Sequence, residues 1–192
     1  MSLEGVRIGF GMCGSFCTFS KAFEAAEKLV SEGAKLTPVM SFNSAGMSTR
    51  FGTAEYNQKK IEEICGAKVI KTIEGAEPIG PKKMFDILVI APCTANTAAK
   101  LAWGICDTPI TMAVKSHLRN SRPVVIAIST NDALAGCAKN FGMLQNYKNY
   151  YFVPYRQDNY EAKPNSIVAD FTKISETVES ALKGIQIQPL II

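Results

Sequence analysis

The sequence is poor in the residues that several common classes of protein require. It contains one histidine, His117, and its six cysteines form no C-x-x-C pair, so no metal site is expected. The net charge is only +4, and the basic residues are scattered along the chain instead of clustering in a stripe. We therefore expect no nucleic-acid-binding surface, because such surfaces need a dense basic patch.

Long apolar segments are also missing. No apolar run reaches the ~20 residues that a helix needs to span a bilayer. Glu4 and Arg7 interrupt the start of the chain before the apolar region of a signal peptide is complete. These absences predict a cytoplasmic protein without membrane contact, in which most cysteines are buried thiols and His117 lies on the surface of a late helix.

What the sequence does contain is an alternation of strand and helix signals. With 192 residues, of which 47% are hydrophobic, the chain is expected to form a single domain over residues 1–192. Strands are predicted at 6–10, 35–40, 68–70, 86–91, 124–128 and 151–153. Helices are predicted from Thr18 or Ser20 to Gly33 and at 53–65, 98–104, 140–149 and 170–183, and the Gly- and Pro-rich segment 72–84 is predicted to be a loop.

This alternation predicts an α/β fold, specifically a doubly wound three-layer sandwich with a mostly parallel sheet of the Rossmann/flavodoxin-like class. The expected strand order is 3-2-1-4-5. In such a sheet, ligands bind beyond the carboxyl ends of the strands at the point where the order reverses. Here that point lies between the first and the fourth strand.

Two loops are expected to meet at this point. Gly11-Met12-Cys13-Gly14-Ser15 follows the first strand, and the N–H groups of a glycine-rich turn before a helix attract anions. Phosphate or another anion is therefore expected at Gly14–Ser15. The second loop, residues 91–97, follows the fourth strand, and its Thr94 is placed to cap the next helix.

Residues 9–14 also match G-x-G-x-x-G, the pattern of a dinucleotide-binding turn. That pattern needs an acidic residue about 20 positions later to hold the ribose. No Asp or Glu occurs from Gly33 through Ala54, and the second strand ends in Ser41-Phe42-Asn43-Ser44. Such small polar groups favour a phosphate, and the alternative is a nicotinamide cofactor whose 2′-phosphate pairs with Arg50.

Three segments carry a resemblance to a known family. Residues 91–107 resemble the P-A-S-A-N-T motif and following helix of the homo-oligomeric flavin-containing cysteine decarboxylases. Residues 123–127, followed by Asn131, resemble that family's next strand and its P-x-M-N segment. The Gly14–Ser15 loop is similar to the family's flavin-phosphate loop, and the likeness covers most of residues 5–155.

The resemblance implies a flavoprotein that binds FMN and assembles as a trimer or a multiple of it. It implies substrate contacts at Asn96 and Asn131, and no catalytic residue is assigned. The cofactor-binding residues that it implies are Gly11, Gly14, Ser15, Phe16, Ser41, Asn43, Cys93 and Thr94.

The chain departs from the family pattern in two places. The decarboxylases carry a histidine in the region of residues 77–80, where this chain has none. Since histidine is well suited to proton transfer near neutral pH, its absence argues against cysteine decarboxylation. The P-x-M-N segment has become Ile128-Ser129-Thr130-Asn131, so two residues expected beside a flavin ring are replaced.

Within the family, residues 11–17, 92–97 and 155–158 are most similar to one component of a two-component oxidoreductase. This likeness implies a sporulation-associated protein that makes an aromatic dicarboxylate from a cyclic lysine-pathway intermediate. It also implies that NADP is bound by the partner chain of that oxidoreductase. The alternatives are a non-catalytic, flavin- or phosphate-binding protein that stabilises or regulates its partner and, more remotely, an FMN-dependent decarboxylase or a flavin prenyltransferase.

Overall fold

The centre of the fold is a parallel sheet built from apolar strands. The computed structural model describes residues 3–192. The strands are β1 (Arg7–Met12), β2 (Lys35–Met40), β3 (Ile87–Cys93), β4 (Val124–Thr130), β5 (Tyr150–Phe152), β6 (Tyr155–Gln157) and β7 (Ile167–Ala169). The helices are α1 (Phe19–Ser31), α2 (Phe42–Gly46), α3 (Ala54–Cys65), α4 (Ile73–Ala76), α5 (Ala95–Ala102), α6 (Pro109–Leu118), α7 (Ala138–Asn146) and α8 (Ile174–Leu182).

The strand order is β2-β1-β3-β4, all parallel, with β5 parallel to β4 on its far side. This arrangement confirms the predicted order, except that one predicted strand is reduced to a single bridge. The segment predicted as a strand at 68–70 forms a single bridge between Ile70 and Val39, beyond β2. The N–H of Ile70 donates to the carbonyl of Pro38, and the carbonyl of Ile70 accepts the N–H of Met40.

A short antiparallel hairpin, which the sequence did not predict, completes the seven strands. β7 pairs with β4 at two positions, Ser129 with Val168 and Thr130 with Ile167, and β6 pairs with β7. The hairpin therefore joins the sheet at the carboxyl end of β4. It is attached to β4 by these two ladder pairs and by the Ser166 hydroxyl, which donates to the carbonyl of Thr130.

Apolar side chains cover both faces of the sheet. One cluster joins β1 to α1, α3 and α8, with Leu29, Ile61 and Val178 fully buried. The other packs α5, α6 and α7 against the opposite face through residues such as Ile110 and Leu144. The predicted α/β three-layer sandwich is confirmed. Within residues 3–192 no helix combines the length and the apolar character needed to cross a bilayer.

The prediction of a loop at 72–84 is wrong in its first half. Thr72 caps α4, and a 3-10 turn follows at Glu77–Ile79. The hydroxyl of Ser116 on α6 donates to the carbonyl of Glu77 and accepts the N–H of Gly80. These two hydrogen bonds pair backbone groups of the short helical segment, which forms although it contains Gly and Pro. The sequence analysis predicted no bounds for α2 and α6. The boundaries of the other helices shift by a few residues, and the terminal helix begins with a 3-10 turn at Phe171–Lys173.

His117 lies inside the protein, so its predicted surface position is wrong. Only 1% of the residue is exposed, because α6 packs between the sheet and α4. The Nε2 atom lies 3.1 Å from the carbonyl oxygen of Pro123, which can only accept, so Nε2 carries the proton of the neutral ring. Burial lowers the pKa of His117 to about 4.

This burial predicts that acid destabilises the protein through His117. The unfolded chain binds a proton at His117 below about pH 6.5, whereas the folded protein does so only near pH 4, so folding stability falls across that window. We expect a loss of roughly 2 kcal/mol from this group between about pH 7 and pH 4.5. Urea unfolding at the two pH values, compared with His117→Gln, measures it. An equal pH dependence in the variant would contradict the assignment.

Candidate functional site

The carboxyl ends of β1, β3 and β4 meet at one edge of the sheet, and two cavities open there. The larger has a volume of about 770 Å³ and the smaller of about 450 Å³. Gly14, after β1, and Thr94, after β3, line both cavities and form a shared wall. The two loops predicted to converge therefore do so.

Hydroxyl groups join the first loop to β4 across the end of β3. The Ser15 hydroxyl lies 2.9 Å from that of Ser129, and the Thr18 hydroxyl lies 3.3 Å from the same oxygen. Thr18 also donates to the carbonyl oxygen of Ser15 at 2.9 Å. The three side chains hold the loop in one position and place polar groups on the floor of the larger cavity.

Backbone N–H groups add to this polar surface. The N–H of Ser15 donates to the carbonyl of Cys13, so it is not available to a ligand as the sequence suggested. A 3-10 turn at Phe16–Thr18 precedes α1, and the N–H groups of Phe16 and Cys17 have no acceptor within residues 3–192. Unpaired N–H groups at the start of a helical turn favour a bound anion.

The shared wall presents a second helix N-terminus. The Thr94 side chain caps α5 by accepting the N–H of Thr97, and its carbonyl accepts the N–H of Ala98. The first two N–H groups of α5, on Ala95 and Asn96, therefore remain without an intrahelical acceptor. The partial positive charge of this terminus points toward both cavities.

The larger cavity contains part of the expected site. Ser15, Phe16 and Asn131 line it together with the shared wall. Its charged residues come from three separate parts of the chain: Lys21 on α1, Arg50 in the turn before α3, and Asp158 and Lys163 in the connection between β6 and β7.

The smaller cavity contains the other part. Ser41, Asn43 and Asn96 line it, with Ser41 capping α2 through the N–H of Ser44. Its charges are neutralised internally, since Lys100 lies 2.7 Å from Asp107. That hydrogen bond lowers the pKa of the Asp107 carboxyl. The two asparagines expected to contact a substrate thus lie on opposite sides of the shared wall.

Gly11 and Cys93 line neither cavity. Gly11 lies within β1, and a side chain there would meet Ile90 at 2.7 Å. Cys93 is fully buried at the end of β3, where its hydrogen bond with Cys13 and its burial raise the thiol pKa well above the usual value. A protonated thiol without solvent access is a poor nucleophile.

Sequence reasoning missed several residues of the larger cavity, among them Lys21, Ser129, Asp158 and Lys163. Lys21 belongs to a helix that was predicted, but the helical pattern does not show which exposed lysine faces a site. Asp158 and Lys163 belong to the hairpin connection, which the sequence did not predict. Ser129 was noted only as a departure from the family pattern, and nothing in its spacing indicated a bond to Ser15.

Two features expected of other enzymes are not found near the cavities. Residues 77–80, where the decarboxylases carry their histidine, pack against α6 and line neither cavity. Among residues 3–192, no group of three or more His, Cys, Asp or Glu side chains is placed to hold a metal ion. The chemistry that the arrangement supports is the binding of an anion by hydroxyl, amide and backbone N–H groups.

Comparison with known proteins gives a consistent set of relatives. The model of the Flavoprotein family matches residues 1–180. The chain is 47% identical over 191 residues to the B subunit of dipicolinate synthase from Bacillus subtilis, covering 100% of this chain and 96% of that protein. It superposes on the crystal structure of the B subunit of dipicolinate synthase from Bacillus halodurans with a TM-score of 0.92 at 42% identity, covering 100% and 98% of the two chains.

A more distant structural relative shares the fold. The crystal structure of the FMN-dependent cysteine decarboxylase SpaF superposes with a TM-score of 0.71 at 24% identity. The match covers 94% of this chain and 99% of that one. The fold is therefore shared with a protein that is much less similar in sequence than the two B subunits.

Substitution of the first and of the last glycine of the G-x-G-x-x-G pattern, Gly9 and Gly14, should have different effects. A Cβ atom at Gly9 would lie 2.5 Å from the Phe85 ring and 2.6 Å from Leu88, so Gly9→Ala should cost about 1–3 kcal/mol of stability. At Gly14 the Cβ atom would have ordinary contacts of 3.5 Å with Asn43 and Phe16. Gly14→Ala should therefore leave stability within about 0.5 kcal/mol.

Gly14→Ala should instead weaken the binding of inorganic phosphate, because the added methyl group faces both cavities. Urea unfolding and calorimetric titration with phosphate separate the two effects. Unchanged phosphate affinity in Gly14→Ala, or unchanged stability in Gly9→Ala, would contradict the respective interpretation.

Proposed function

This chain belongs to the Flavoprotein family, and we propose that it acts as the B subunit of a dipicolinate synthase. The observation that carries the proposal is the full-length similarity, at 47% identity, to the Bacillus subtilis protein of that name. The crevice supports it further, because two adjoining cavities with a polar shared wall suit an anionic substrate. We further propose that residues 1–192 work as one flavoprotein-like domain.

The proposed product is pyridine-2,6-dicarboxylate, formed from a cyclic dicarboxylate of the lysine pathway during sporulation. Loss of water from the precursor gives a dihydro ring. Oxidation of that ring to the pyridine releases one hydride and one proton. We assign the hydride to NADP on the partner, the A subunit of dipicolinate synthase, because this chain lacks the acidic residue that a dinucleotide turn needs after β2.

The residues of this chain would bind and orient the substrate. Asn96 and Asn131 flank the shared wall from its two sides, and their amides can donate to and accept from polar groups of the substrate. The unpaired N–H groups at the start of α5 favour a carboxylate near Thr94. Gly14 and Thr94, which form the shared wall, have no titratable side chain. We therefore place the proton-transfer group on the partner.

FMN is proposed as a ligand of the same crevice. The hydroxyls of Ser15 and Ser129 and the N–H groups of the following turn suit its phosphate, and the larger cavity has the volume of a typical cofactor site. Gly14, Phe16 and Thr94 border the larger cavity, and Ser41 and Asn43 border the smaller cavity beside it. When bound, a flavin supplies hydride-transfer chemistry.

A second candidate function is a binding protein that stabilises its partner without catalysis. Two observations favour it: residues 77–80 are remote from both cavities, and the segment 128–131 has lost the proline and methionine of the family. In either case we propose a cytoplasmic homo-oligomer, a trimer or a multiple of it. The exposure of 63% of Trp103 and 47% of Ile105, at the end of α5, is consistent with an oligomer contact there.

Substitution of Asn96 tests the enzymatic proposal. Asn96→Ala should reduce dipicolinate synthesis at least about tenfold in a mixture with the purified partner and NADP, because a hydrogen bond to a charged substrate is lost. Asn146→Ala, on the exposed side of α7, is the matched control and should retain full synthesis. Equal synthesis by the two variants, or full turnover by the partner on its own, would favour the stabilising role.

Flavin titration tests the phosphate-binding part of the crevice. The wild-type chain should bind FMN more tightly than riboflavin, which lacks the phosphate, and Ser15→Ala should weaken FMN binding roughly tenfold with little effect on riboflavin. Ser31→Ala, at the exposed end of α1, serves as the control. Visible absorbance and flavin fluorescence report binding. The absence of FMN binding to the wild-type chain would leave an anion site without a flavin.

A further inference from the structure

The two cavities differ in how their charged side chains are paired. In the smaller cavity, Lys100 and Asp107 form an ion pair at 2.7 Å and leave no excess charge. The larger cavity is lined by three cations, Lys21, Arg50 and Lys163, and by one acid, Asp158. The larger cavity therefore carries an excess of two positive charges.

The single acid of the larger cavity is already engaged. Asp158 lies 2.9 Å from the Nζ atom of Lys163, and this bond is the main cause of the lowered pKa of Asp158. Within residues 3–192, neither Arg50 nor Lys21 has a carboxylate at salt-bridge distance. Neither cation is held in an ion pair, although Lys21 lies near enough to Asp158 to contribute to its lowered pKa, so both can bind an anionic ligand.

Arg50 also has an aromatic neighbour in the same cavity. Its guanidinium lies 4.8 Å from the centre of the Phe51 ring, and 45% of Phe51 is exposed. The Thr49–Gly52 bridge forms the tight turn that carries both side chains. A planar cation beside an exposed aromatic face suits a ligand that combines a flat ring with a negative charge.

We propose that Arg50 and Lys21 bind the two carboxylates of pyridine-2,6-dicarboxylate, and of its cyclic precursors, in the larger cavity. This inference rests on the proposed function and names the residues that recognise its substrate. Arg50 can hold one carboxylate through two parallel N–H···O bonds, while Lys21, from α1, meets the other as a point charge. Two free positive charges match the two negative charges of the ligand.

Phosphate is the competing anion in this crevice. Its expected donors are the hydroxyls of Ser15 and Ser129 and the N–H groups at the helix starts, which surround the shared wall. Arg50 comes from another part of the chain, and Lys21 lies on α1 after the turn that carries these N–H groups, so neither side chain is needed for that cradle. Substitution of the two cations should therefore separate the binding of dicarboxylate from the binding of phosphate.

The experiment is calorimetric titration of the full chain with four probes: pyridine-2,6-dicarboxylate, pyridine-2-carboxylate, inorganic phosphate and FMN. The wild-type chain should prefer the dicarboxylate to the monocarboxylate. Arg50→Gln and Lys21→Gln should each weaken dicarboxylate binding about tenfold or more, as expected when a charge-assisted hydrogen bond is lost. Each variant should also lose most of the preference over the monocarboxylate.

Two further variants sharpen the comparison. Lys82→Gln removes the same charge before β3, at the opposite edge of the sheet, and should leave all four affinities unchanged. Arg50→Lys keeps the charge but not the paired bonds, so its dicarboxylate affinity should lie between those of wild type and Arg50→Gln. Both cations are exposed at the surface, and thermal unfolding verifies that the variants fold.

Unchanged dicarboxylate affinity in Arg50→Gln and Lys21→Gln would overturn the inference. An equal loss of phosphate and FMN binding would also overturn it, because the cations would then belong to the phosphate cradle.

The proposed function is tested separately by synthesis with the purified partner. If wild type supports synthesis and Arg50→Gln has an unchanged KM, the inference fails and the function stands. If the partner on its own is fully active while Arg50→Gln loses dicarboxylate binding, the function fails and the inference stands.

Discussion

The burial of β3 on both faces is the constraint on which the rest of the structure depends. All seven of its residues, Ile87–Cys93, are buried between the two apolar layers. β3 is central and parallel to both of its neighbours, and helices cover both of its faces, which is the usual arrangement for a strand of this kind. Its end is then fixed beside the ends of β1 and β4, and the loops that follow these strands must share one crevice. The position of the site therefore follows from the burial of the apolar strand residues.

Residues that immediately follow a buried strand could be predicted from the sequence. Ser15 and Thr94 are of this kind, because the apolar run fixes where the strand ends and the polar loop begins. Gly11 was predicted to begin the loop after the first strand. β1 continues to Met12, so Gly11 lies within the strand. The alternation of apolar residues does not predict where a strand ends, because pairing with neighbouring strands can extend it.

Residues that reach the site from a distance could not be predicted. Lys163 depends on a hairpin whose strands have three residues each, too short for a periodic signal. Lys21 depends on the rotation of α1 against the sheet. The burial of His117 likewise depends on α4 covering α6. In each case the deciding contact joins segments far apart in the chain, which a periodic pattern does not encode.

The attachment of the hairpin has a consequence for the kinetics of ligand exchange. β7 meets β4 at only two residue pairs, whereas β1, β2, β3 and β4 are joined by longer ladders, so local opening would begin at the hairpin. Asp158 and Lys163, which form part of the wall of the larger cavity, would move with it. Such local opening would uncover the larger cavity and would cost less than global unfolding. The residence time of a ligand in the larger cavity would then depend on the local stability of two three-residue strands and not on that of the whole sheet.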